Sequence, residues 1–375
     1  MNKQITFLTL LLIVTVFSAN ATVWTVSNNP ADSTAAQFSD LQAAIDNANI
    51  DDTILVSGSP NQYSGTFYIK KKLTLIGAGY NNPYGNNTNI RSIYLQKLNA
   101  SIGADGVVIK GVELYIHLDP DFLNADNTTR KLEDITISDC KINSLYFSYN
   151  PNSNENHYNN IFIKNNHFIS YLNFGQYYTY LSNVIISNNL FDNTGLEVGG
   201  NSLDLSEVYI ENNIIINNSN NFLFDNSNEY STGEFVKLNL ENNIFYSSKI
   251  GVENCDECAF NNNITYLSVD NDTLVKGTNI GSGNIYAQDP KFVNYPLGGA
   301  TWSYSYDLRL QSTSPAINAG TDGTNMGVYG GDYPWSNIGD NPEIPQMMEI
   351  TFPSNESSVP LNGTLNVSFK STKQD

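Results

Sequence analysis

VYIENNII, at residues 208–215, decides the fold of this 375-residue chain, because five other segments repeat its pattern. Each copy has alternating apolar residues, a polar step, an Asn pair or its equivalent, and a second apolar pair. The other copies are ITISDCKI from 135, IFIKNNHF from 161, VIISNNLF from 184, LNLENNIF from 238 and CAFNNNIT from 258. Successive copies begin 20 to 30 residues apart. Such a period is typical of a solenoid, in which each copy buries its apolar face against its neighbours.

The apolar residues of one copy define an inward face and a corner. Val208 and Ile210 share a face, as β alternation requires, and Ile215 returns to that face after the Asn pair changes the phase. Asn suits a tight corner because it tolerates the left-handed conformation, and its amide can bond to the equivalent residue one coil away. We therefore predict a buried structural ladder that satisfies the polar groups of the corners. It is formed by Asn166, Asn189, Asn213, Asn243 and Asn263, and Cys140 takes the equivalent place in the first copy of the repeat.

A second alternating segment follows each corner. Two strands and a return segment in roughly 25 residues make one coil, and neighbouring coils are about 4.8 Å apart. The sequence therefore predicts a parallel β-helix. Its second strands carry the inward pairs Leu145/Phe147, Leu172/Phe174, Leu196/Val198, Phe222/Phe224, Ile250/Val252 and Leu267/Val269.

The N-terminal part predicts a cap for the first coil. SDLQ from 39 has the form of a capping box, and it precedes an apolar stripe on a short helix. That helix would cover an edge that otherwise invites aggregation. The stripe comprises Phe38, Leu41, Ala44, Ile45 and Ala48.

The strands that follow carry a family resemblance. DDTILVS from 51 and KKLTLIGAG from 71, after a cap helix, resemble the start of right-handed parallel β-helix proteins of the pectin-lyase-like group. Together with the Asn-marked repeats, the resemblance covers residues 23–287. It implies an all-β fold, a right-handed parallel β-helix solenoid with a short N-terminal capping helix and a small C-terminal β tail.

The C-terminal part carries a second resemblance. DPKF from 289, DLRLQ from 307, SPAINAG from 314 and GVYGG from 327 resemble the closing segment of secreted bacterial β-helix proteins, a choice-of-anchor module. That pattern usually has an Asp ahead of the Gly, whereas this chain has Asn325-Met326-Gly327, so we assign no metal there. We expect residues 289–335 to form a terminal cap, followed by a stiff linker at 336–346 and a short β tail at 347–375. The tail is a docked hairpin, a sorting tail or a truncated module.

Composition indicates the compartment and the excluded partners. The apolar run at 5–17, followed by small residues at 19–21, predicts a signal peptide at 1–21 that is too short to span a bilayer. Loss of Lys3 with that peptide takes the formal net charge from -19 to -20. Such a chain repels nucleic acid and anionic lipid. We expect a secreted or surface-displayed monomer with no membrane span in the mature chain, and one elongated capped β-helix at 22–288.

Enzymes of the group that this chain resembles act on acidic polysaccharides, and their motifs are missing. Of the polygalacturonase set, only Asp51-Asp52 is present, and it lies in the cap region. A pectate lyase needs an Arg or Lys base beside carboxylates that hold calcium, and none of Arg91, Arg130 and Arg309 adjoins an acidic cluster in the central coils. The sequence therefore predicts no cofactor, with calcium entering only if the protein is a lyase.

Alignment of the first strands places charged side chains in one outward column. Glu211 and Glu241 would be adjacent, about 5 Å apart at the coil spacing. Such a pair can raise one carboxyl pKa or share a calcium ion, and Lys164 two coils away can serve as a lyase base. We favour the alternative that these candidates are solvated surface charges. The column is Lys110, Ser138, Lys164, Ser187, Glu211, Glu241 and Asn261.

The neighbouring outward column is apolar and aromatic. Phe162 and Tyr209 are its candidate glycan-binding residues, because aromatic rings offer contact area at low entropic cost. We favour the alternative that loops such as 148–158 cover the column as a satellite core. Its members are Val108, Thr136, Phe162, Ile185, Tyr209, Asn239 and Ala259.

The cysteines and histidines give weak signals. Cys255 and Cys258 supply only two ligands, so we predict no metal site, although a local disulfide can form outside the cytoplasm. Cys140 and Cys258 align with inward positions and should be buried and inert. His167 lies at a corner, where we expect solvent exposure.

Two hypotheses for function follow. In the first, the chain is a glycan-binding, adhesive or structural β-helix without catalysis, whose partner is a polysaccharide or cell-surface glycan. In the second, it is a polysaccharide lyase or glycoside hydrolase that acts on an acidic polysaccharide through Lys164, Glu211 and Glu241.

Overall fold

The computed structural model describes residues 21–335 with twelve gaps, together with two short strands near the C-terminus. Almost all of the predicted signal peptide and the whole linker at 336–346 lie outside the described residues. The gaps are 31–34, 82–85, 100–101, 121–129, 148–154, 176–178, 200–202, 217–221, 226–233, 269–273, 299 and 301.

Ten parallel strands form the first wall of the solenoid, sheet 1. Residues alternate between the buried interior and the surface, which explains the apolar alternation of each repeat. The strands are Val23–Val26, Thr53–Val56, Thr74–Gly77, Val108–Lys110, Arg130–Ser138, Asn156–Lys164, Thr179–Ser187, Val208–Glu211, Asn239–Glu241 and Ala259–Asn261.

Twelve parallel strands form the second wall, sheet 2. Three coils, those that begin with His167, Leu190 and Ile214, each contribute two short strands to this wall, and the two coils that follow contribute one each among the described residues. The strands are Tyr63–Ile69, Asn89–Gln96, Glu113–Asp119, Lys141–Phe147, His167–Phe168, Leu172–Asn173, Leu190–Asp192, Leu196–Val198, Ile214–Ile216, Leu223–Asp225, Ile244–Tyr246 and Ile264–Tyr266.

The remaining strands are short. Leu203–Asp204, Phe235–Val236 and Cys255–Asp256 form a three-stranded parallel sheet. Two antiparallel pairs follow, one of Phe292–Asn294 with Asp307–Leu310 and the other of Met347–Thr351 with Ser368–Ser371. Among the described residues, the helices are Leu41–Asn47 and one 3-10 turn at Val252–Asn254.

These walls confirm the predicted all-β parallel β-helix. Each strand of sheet 1 pairs in register with the equivalent strand of the next coil, so Ile161 lies between Ile135 and Val184. The inward side chains form one continuous apolar core along the helix axis. No described helix is long and apolar enough to cross a membrane.

The predicted ladder is present, and it has a sixth rung. Asn189 Oδ1 accepts from the backbone nitrogen of Asn166 at 2.9 Å, and Asn189 Nδ2 donates to the carbonyl of Ile163. The same bonds recur at each rung, beginning with the backbone nitrogen of Cys140. Asn284 accepts from Asn263 and extends the series beyond the five asparagines that the sequence suggested.

The two residues of each Asn pair have different roles at the corner. The first adopts the left-handed conformation, whereas the second forms the ladder. In the sixth rung Gly283 takes the left-handed position, with φ +72. The other left-handed residues of this corner are Asp139, Asn165, Asn188, Asn212, Asn242 and Asn262.

Three local predictions are corrected. Asp40, not Ser39, caps the helix, and its carboxylate accepts from Ala43 N at 2.7 Å. The capping box fails because Gln42 instead bonds Asp46 and the backbone of Tyr68. Phe222 is buried in the core as predicted, but the strand begins one residue later, so Leu223 pairs with Leu196 and Phe224 pairs with Glu197.

The third correction concerns Leu267. This residue is exposed and left-handed, with φ +51, so it lies at a turn and is not an inward strand residue. Its partner in the predicted pair, Val269, lies outside the described residues.

Residues 302–335, which we call the strap, lie along the side of the β-helix and not across its end. At four corners, the first asparagine of the Asn pair, which is the left-handed one, forms a hydrogen bond with the strap. Because these corners stack along the axis, the strap runs back toward the N-terminal coils. The contacts, in chain order of the strap, are Ala319 with Asn262, Thr321 with Asn242, Asn325 with Asn212, and Val328 and Gly330 with Asn188.

An apolar seam supports this course. Outward side chains of sheet 2 form a second hydrophobic cluster with the strap and the residues just before it. The expectation of a terminal cap at 289–335 is therefore replaced by lateral packing for the contacts that the structure describes. The buried side chains of the seam are Leu190, Ile214, Ile216, Ile244, Tyr246, Ile264, Phe292, Leu308, Ala316, Met326, Val328 and Trp335.

Candidate functional site

The charged column of sheet 1 has the predicted register. Ser187 lies between Lys164 and Glu211, and Glu211 pairs directly with Glu241. The strap, however, runs beside this column. The Lys164 ammonium lies 3.7 Å from the centroid of the Tyr333 ring, a cation–π contact that directs it toward the strap.

The strap also sets the electrostatics of the two glutamates. Burial, the Glu241 carboxylate and then Asp332 and Asp322 raise the pKa of Glu211 above its ordinary value. Burial and Asp322 raise the pKa of Glu241, while a hydrogen bond with Thr321 opposes that rise. The result is a cluster of like charges at a partly covered surface.

This acidic cluster does not assemble a metal centre. No group of three or more His, Cys, Asp or Glu side chains in the described ranges is arranged to hold a metal ion. Cys255 and Cys258 form a disulfide, and Cys140 is a buried free thiol whose pKa is raised by burial.

The apolar column of sheet 1 also has its predicted register. Phe162 pairs with Ile185, and Ile185 pairs with Tyr209. Phe162 and Ile185 are half-buried, whereas Tyr209 is exposed. The two candidate rings are two coils apart and do not stack on each other.

A longer aromatic surface lies on sheet 2. Register places Tyr68, Tyr94, His117 and Tyr146 in one outward column on four successive coils. Tyr171 on the next coil meets the Tyr146 ring edge-on at 5.5 Å. We call these five residues the aromatic stripe.

The rings of the stripe are stacked along the helix axis. Tyr94 and His117 are nearly parallel at 4.1 Å between centroids, and His117 and Tyr146 are nearly parallel at 4.6 Å. Because these faces cover one another, the middle of the stripe presents ring edges and hydroxyl groups to solvent. Tyr68 is tilted by 39° to Tyr94 and remains exposed, so it offers more of its ring.

Polar side chains adjoin the stripe. Gln96 and Asp119 lie two residues beyond Tyr94 and His117 on the same strands. Asn173 and Glu197 continue the register column beyond Tyr146. Gln96 Nε2 donates to Asp119 at 2.9 Å, and Asn173 Nδ2 donates to Glu197 at 3.0 Å. Tyr115, two residues before His117 on the same strand, is exposed. The face therefore combines phenol and amide groups with two accessible aromatic rings.

His117 and Tyr94, in the middle of the stripe, are neutral around pH 7. Burial lowers the pKa of His117 below its ordinary value of 6.5, so the imidazole between the two tyrosines is uncharged. Burial, with Tyr68 and Asp119, raises the pKa of Tyr94 and keeps its phenol protonated. Hydroxyl groups that stay protonated can both donate and accept hydrogen bonds.

A cavity of about 300 Å³ lies at the N-terminal end of the stripe. The Lys70 ammonium is 5.6 Å from the centroid of the Tyr68 ring there. Residues of the cap helix and of the first strand of sheet 2 both line this cavity. Its lining residues are Gln42, Ile45, Asp46, Tyr68, Lys70 and Lys71.

Sequence reasoning missed the stripe because it aligned the coils on their Asn pairs. Three of the four stacked rings precede the first strong repeat copy. A signal was nevertheless present, since each ring stands between two inward apolar residues and recurs after 26, 23 and 29 residues. The triplets are FYI from 67, IYL from 93, IHL from 116 and LYF from 145.

A third set of side chains lies on the leading parts of the long strands, ahead of the left-handed residues Asp134, Asn160 and Asn183. Lys131, His157 and Tyr180 share a register column. The rings of His157 and Tyr180 stack at 4.6 Å, and both bond Glu155. This cluster is small and exposed, and its charges are paired.

The structure also corrects the expectation for His167. This residue is only 3% exposed, because strap residues Trp302 and Tyr304 cover it. Tyr304 is 137 positions away in sequence, so the corner residue gave no local sign of its cover.

Comparison with known proteins finds a distant structural likeness. No protein-family model matches the sequence, and no curated protein matches it. Among solved structures, the chain is similar to the crystal structure of the pectin methylesterase from Aspergillus niger, with 14% identity over 72% of this chain and 93% of that chain, at a TM-score of 0.26. The β-helix assignment rests on the strand register described above and not on this likeness.

Proposed function

We propose that this protein is an exported, glycan-binding β-helix that holds a neutral polysaccharide along the aromatic stripe of sheet 2. The observation that carries the proposal is the continuous column from Tyr68 to Tyr146, extended by Tyr171. Four coil steps make this column about 19 Å long. An extended sugar chain lying parallel to the helix axis can contact it over several rings.

The chemistry of the stripe suits sugars. Sugar rings combine apolar C–H faces with hydroxyl groups, and tyrosine combines an aromatic body with a polar tip. The exposed rings of Tyr68 and Tyr115 supply apolar contact. The hydroxyl groups of the stacked tyrosines and the neighbouring amides supply hydrogen bonds.

Charge favours a neutral ligand. The chain carries a formal net charge of -19, and Asp119 and Glu197 border the stripe. A polyuronate or sulfated glycan would meet a repulsive field over most of the molecule. The neutral His117 adds no compensating charge in the middle of the stripe.

The export part of this proposal rests on the sequence pattern at 1–21, which favours a cleaved signal peptide. The choice-of-anchor resemblance at 289–335 favours display at a surface, and the monomeric state remains a prediction. N-terminal sequencing of the mature protein from culture medium and from washed cells tests cleavage and location together.

Affinity electrophoresis tests binding. We expect gels containing a neutral β-glucan or galactomannan to retard the protein, whereas gels containing polygalacturonate do not. Replacing both Tyr68 and Tyr115 by Ala should weaken binding about thirtyfold, since each truncated ring removes roughly 1 kcal/mol of binding free energy. Replacing Tyr180 and Tyr209, which have similar exposure on other surfaces, should leave retardation unchanged.

A second candidate is the lyase or hydrolase that acts on an acidic polysaccharide. It is favoured by one observation, the raised pKa of Glu211 beside Glu241, which suits a general acid. Incubation with polygalacturonate, alginate and glycosaminoglycans, with and without calcium, tests it through absorbance of unsaturated products and release of reducing ends. Product that disappears in Glu211→Gln would establish catalysis and replace the binding-only proposal.

A further inference from the structure

Three neighbouring residues where the strap begins each carry a buried polar atom without a hydrogen-bond partner. The atoms are His167 Nε2, Asp192 Oδ1 and Trp302 Nε1. His167 Nε2 is 3.9 Å from the other Asp192 oxygen, too long for a direct hydrogen bond. The His167 and Trp302 rings are 6.2 Å apart between centroids. Buried polar atoms left unpaired destabilise a protein, so their occurrence on three neighbouring residues points to a bound group.

The hydrogen-bonding types of the three atoms define that group. Trp302 Nε1 can only donate, and the Asp192 carboxylate can only accept when ionised. Tyr304 Oη lies 2.9 Å from His167 Nδ1. If the phenol donates to Nδ1, Nε2 carries the proton and becomes a second donor. The site then offers two donors and one acceptor, which a single hydroxyl group satisfies by accepting twice and donating once.

The same atoms exclude a metal ion. One imidazole and one carboxylate are fewer protein ligands than zinc or calcium sites use, and an indole N–H repels a cation. An anion is equally disfavoured, because Asp192 would face it across a buried space.

Aromatic rings surround the His167 side chain on its other sides. Tyr80 lies 6.5 Å from the His167 ring and 6.1 Å from the Tyr304 ring, between centroids. Tyr80 is buried, whereas Trp302 and Tyr304 are only half-buried and lead to the surface. A hydroxyl group on an apolar carbon framework fits such surroundings.

We propose that His167, Asp192 and Trp302 form a binding site for one hydroxyl group, shared between the β-helix and the strap. The hydroxyl group belongs either to a sugar that enters past Trp302 or to a buried water molecule. The site lies beyond the aromatic stripe and does not rest on the proposed function.

Titration of the full-length protein with methyl β-D-glucoside and methyl β-D-galactoside, followed by tryptophan fluorescence, tests the sugar source. A sugar ligand predicts a saturable signal in the wild type, no signal in Trp302→Phe, and a Kd at least tenfold weaker in Asp192→Asn. The Tyr68 and Tyr115 double alanine variant should keep the signal. Failure of the stripe and failure of this site are thereby distinguished.

A high-resolution crystal structure, with and without the same glycosides, tests the shared chemistry directly. A density peak within hydrogen-bond distance of all three atoms supports the site, and its shape separates water from a sugar. Absence of a peak together with absence of a fluorescence change would overturn the proposal. A fluorescence change that persists in Trp302→Phe, with no peak, would overturn it as well.

Discussion

Asn189 Oδ1 accepts two hydrogen bonds from Asn166, one from the backbone nitrogen at 2.9 Å and one from the side-chain nitrogen at 3.0 Å. Both residues are fully buried. This pair shows why the repeat is an Asn repeat, since one amide oxygen satisfies both the backbone and the side-chain nitrogen of the preceding corner. Each amide also donates to a carbonyl of the preceding coil, so three coils are joined at every rung.

Removal of one rung should destabilise the β-helix. Asn213→Ala leaves the Asn189 backbone N–H and the Ile186 carbonyl without partners, at a cost of roughly 1–3 kcal/mol each. We expect a loss of about 2–6 kcal/mol, measured by urea denaturation. Asn49→Ala, at an exposed position, is the matched control and should change stability little. Equal effects of the two substitutions would contradict a structural role for the ladder.

Attachment of the strap should depend on Gly327. This glycine is left-handed, with φ +79, and an added Cβ would lie 2.7 Å from Ile244 Cδ1. Gly327→Ala should expose the strap to limited proteolysis and lower the Tm. Gly323 has nearly the same φ, +77, but open space around its Cβ position, so Gly323→Ala carries the backbone strain without the clash. If the two variants are cleaved at the same rate, the packing of Gly327 on the seam is not what holds the strap.

Much of the fold followed from the sequence because the apolar and Asn positions recur on every coil. A local pattern is enough to predict a strand, a corner and the register of their neighbours. The strap was not predictable in this way. Its contacts join Asn188 to Gly330 and His167 to Tyr304. The sequence around Asn188 and around His167 does not show that the strap covers these two corner residues.

The candidate site was predicted only in part. The predicted columns contain Lys164, Glu211, Glu241, Phe162 and Tyr209, but these columns do not reveal the longer aromatic surface on the described part of sheet 2. That surface arises from residues that are outward on sheet 2, where the coils lack a consistent Asn marker. The stacking of Tyr94 on His117 depends on side-chain orientation, which register alone does not determine.

Acidification should destabilise the packing of the strap through His167. Burial is the main cause that lowers the pKa of this residue below its ordinary value of 6.5, while Asp192 opposes the shift. Between the folded pKa and pH 6.5, the imidazole is therefore protonated in the unfolded chain but not in the folded chain. The stability of the fold is full above pH 6.5 and falls as the pH drops toward the folded pKa. Lys141, Glu113, Tyr304, Trp302 and Tyr80 also face this imidazole and are unchanged in the test.

The measurement is the Tm between pH 7.5 and pH 5 for the wild type and His167→Gln. We expect a smaller fall in the variant. His157→Gln, on the exposed cluster, should follow the wild-type profile. If the Tm of His167→Gln falls with pH as steeply as that of the wild type, groups other than His167 cause the loss of stability in acid.

Glu211 should make the stability of the fold depend on pH in the opposite direction to His167. Burial and Glu241 raise its folded pKa above the ordinary value of 4.5, so the stability is fully present below pH 4.5 and is lost as the pH rises through the folded pKa. Glu211→Gln should therefore raise the Tm at pH 7 by a few degrees and leave it nearly unchanged at pH 4. Glu234→Gln, at an exposed position, is the control and should leave both values unchanged. A fall in Tm at pH 7 would indicate a stabilising partner for Glu211.

Protection of individual tyrosines from nitration tests the central claim most directly. Two tyrosines on the stripe face and two on sheet 1 have similar exposure, at 41% for Tyr68, 44% for Tyr115, 46% for Tyr180 and 40% for Tyr209. Nitration with tetranitromethane, with and without the neutral polysaccharide that retards the protein, is read by peptide mass spectrometry. The account predicts protection of Tyr68 and Tyr115 and no protection of Tyr180 and Tyr209. Protection of Tyr180 or Tyr209 with Tyr68 and Tyr115 left reactive would contradict it.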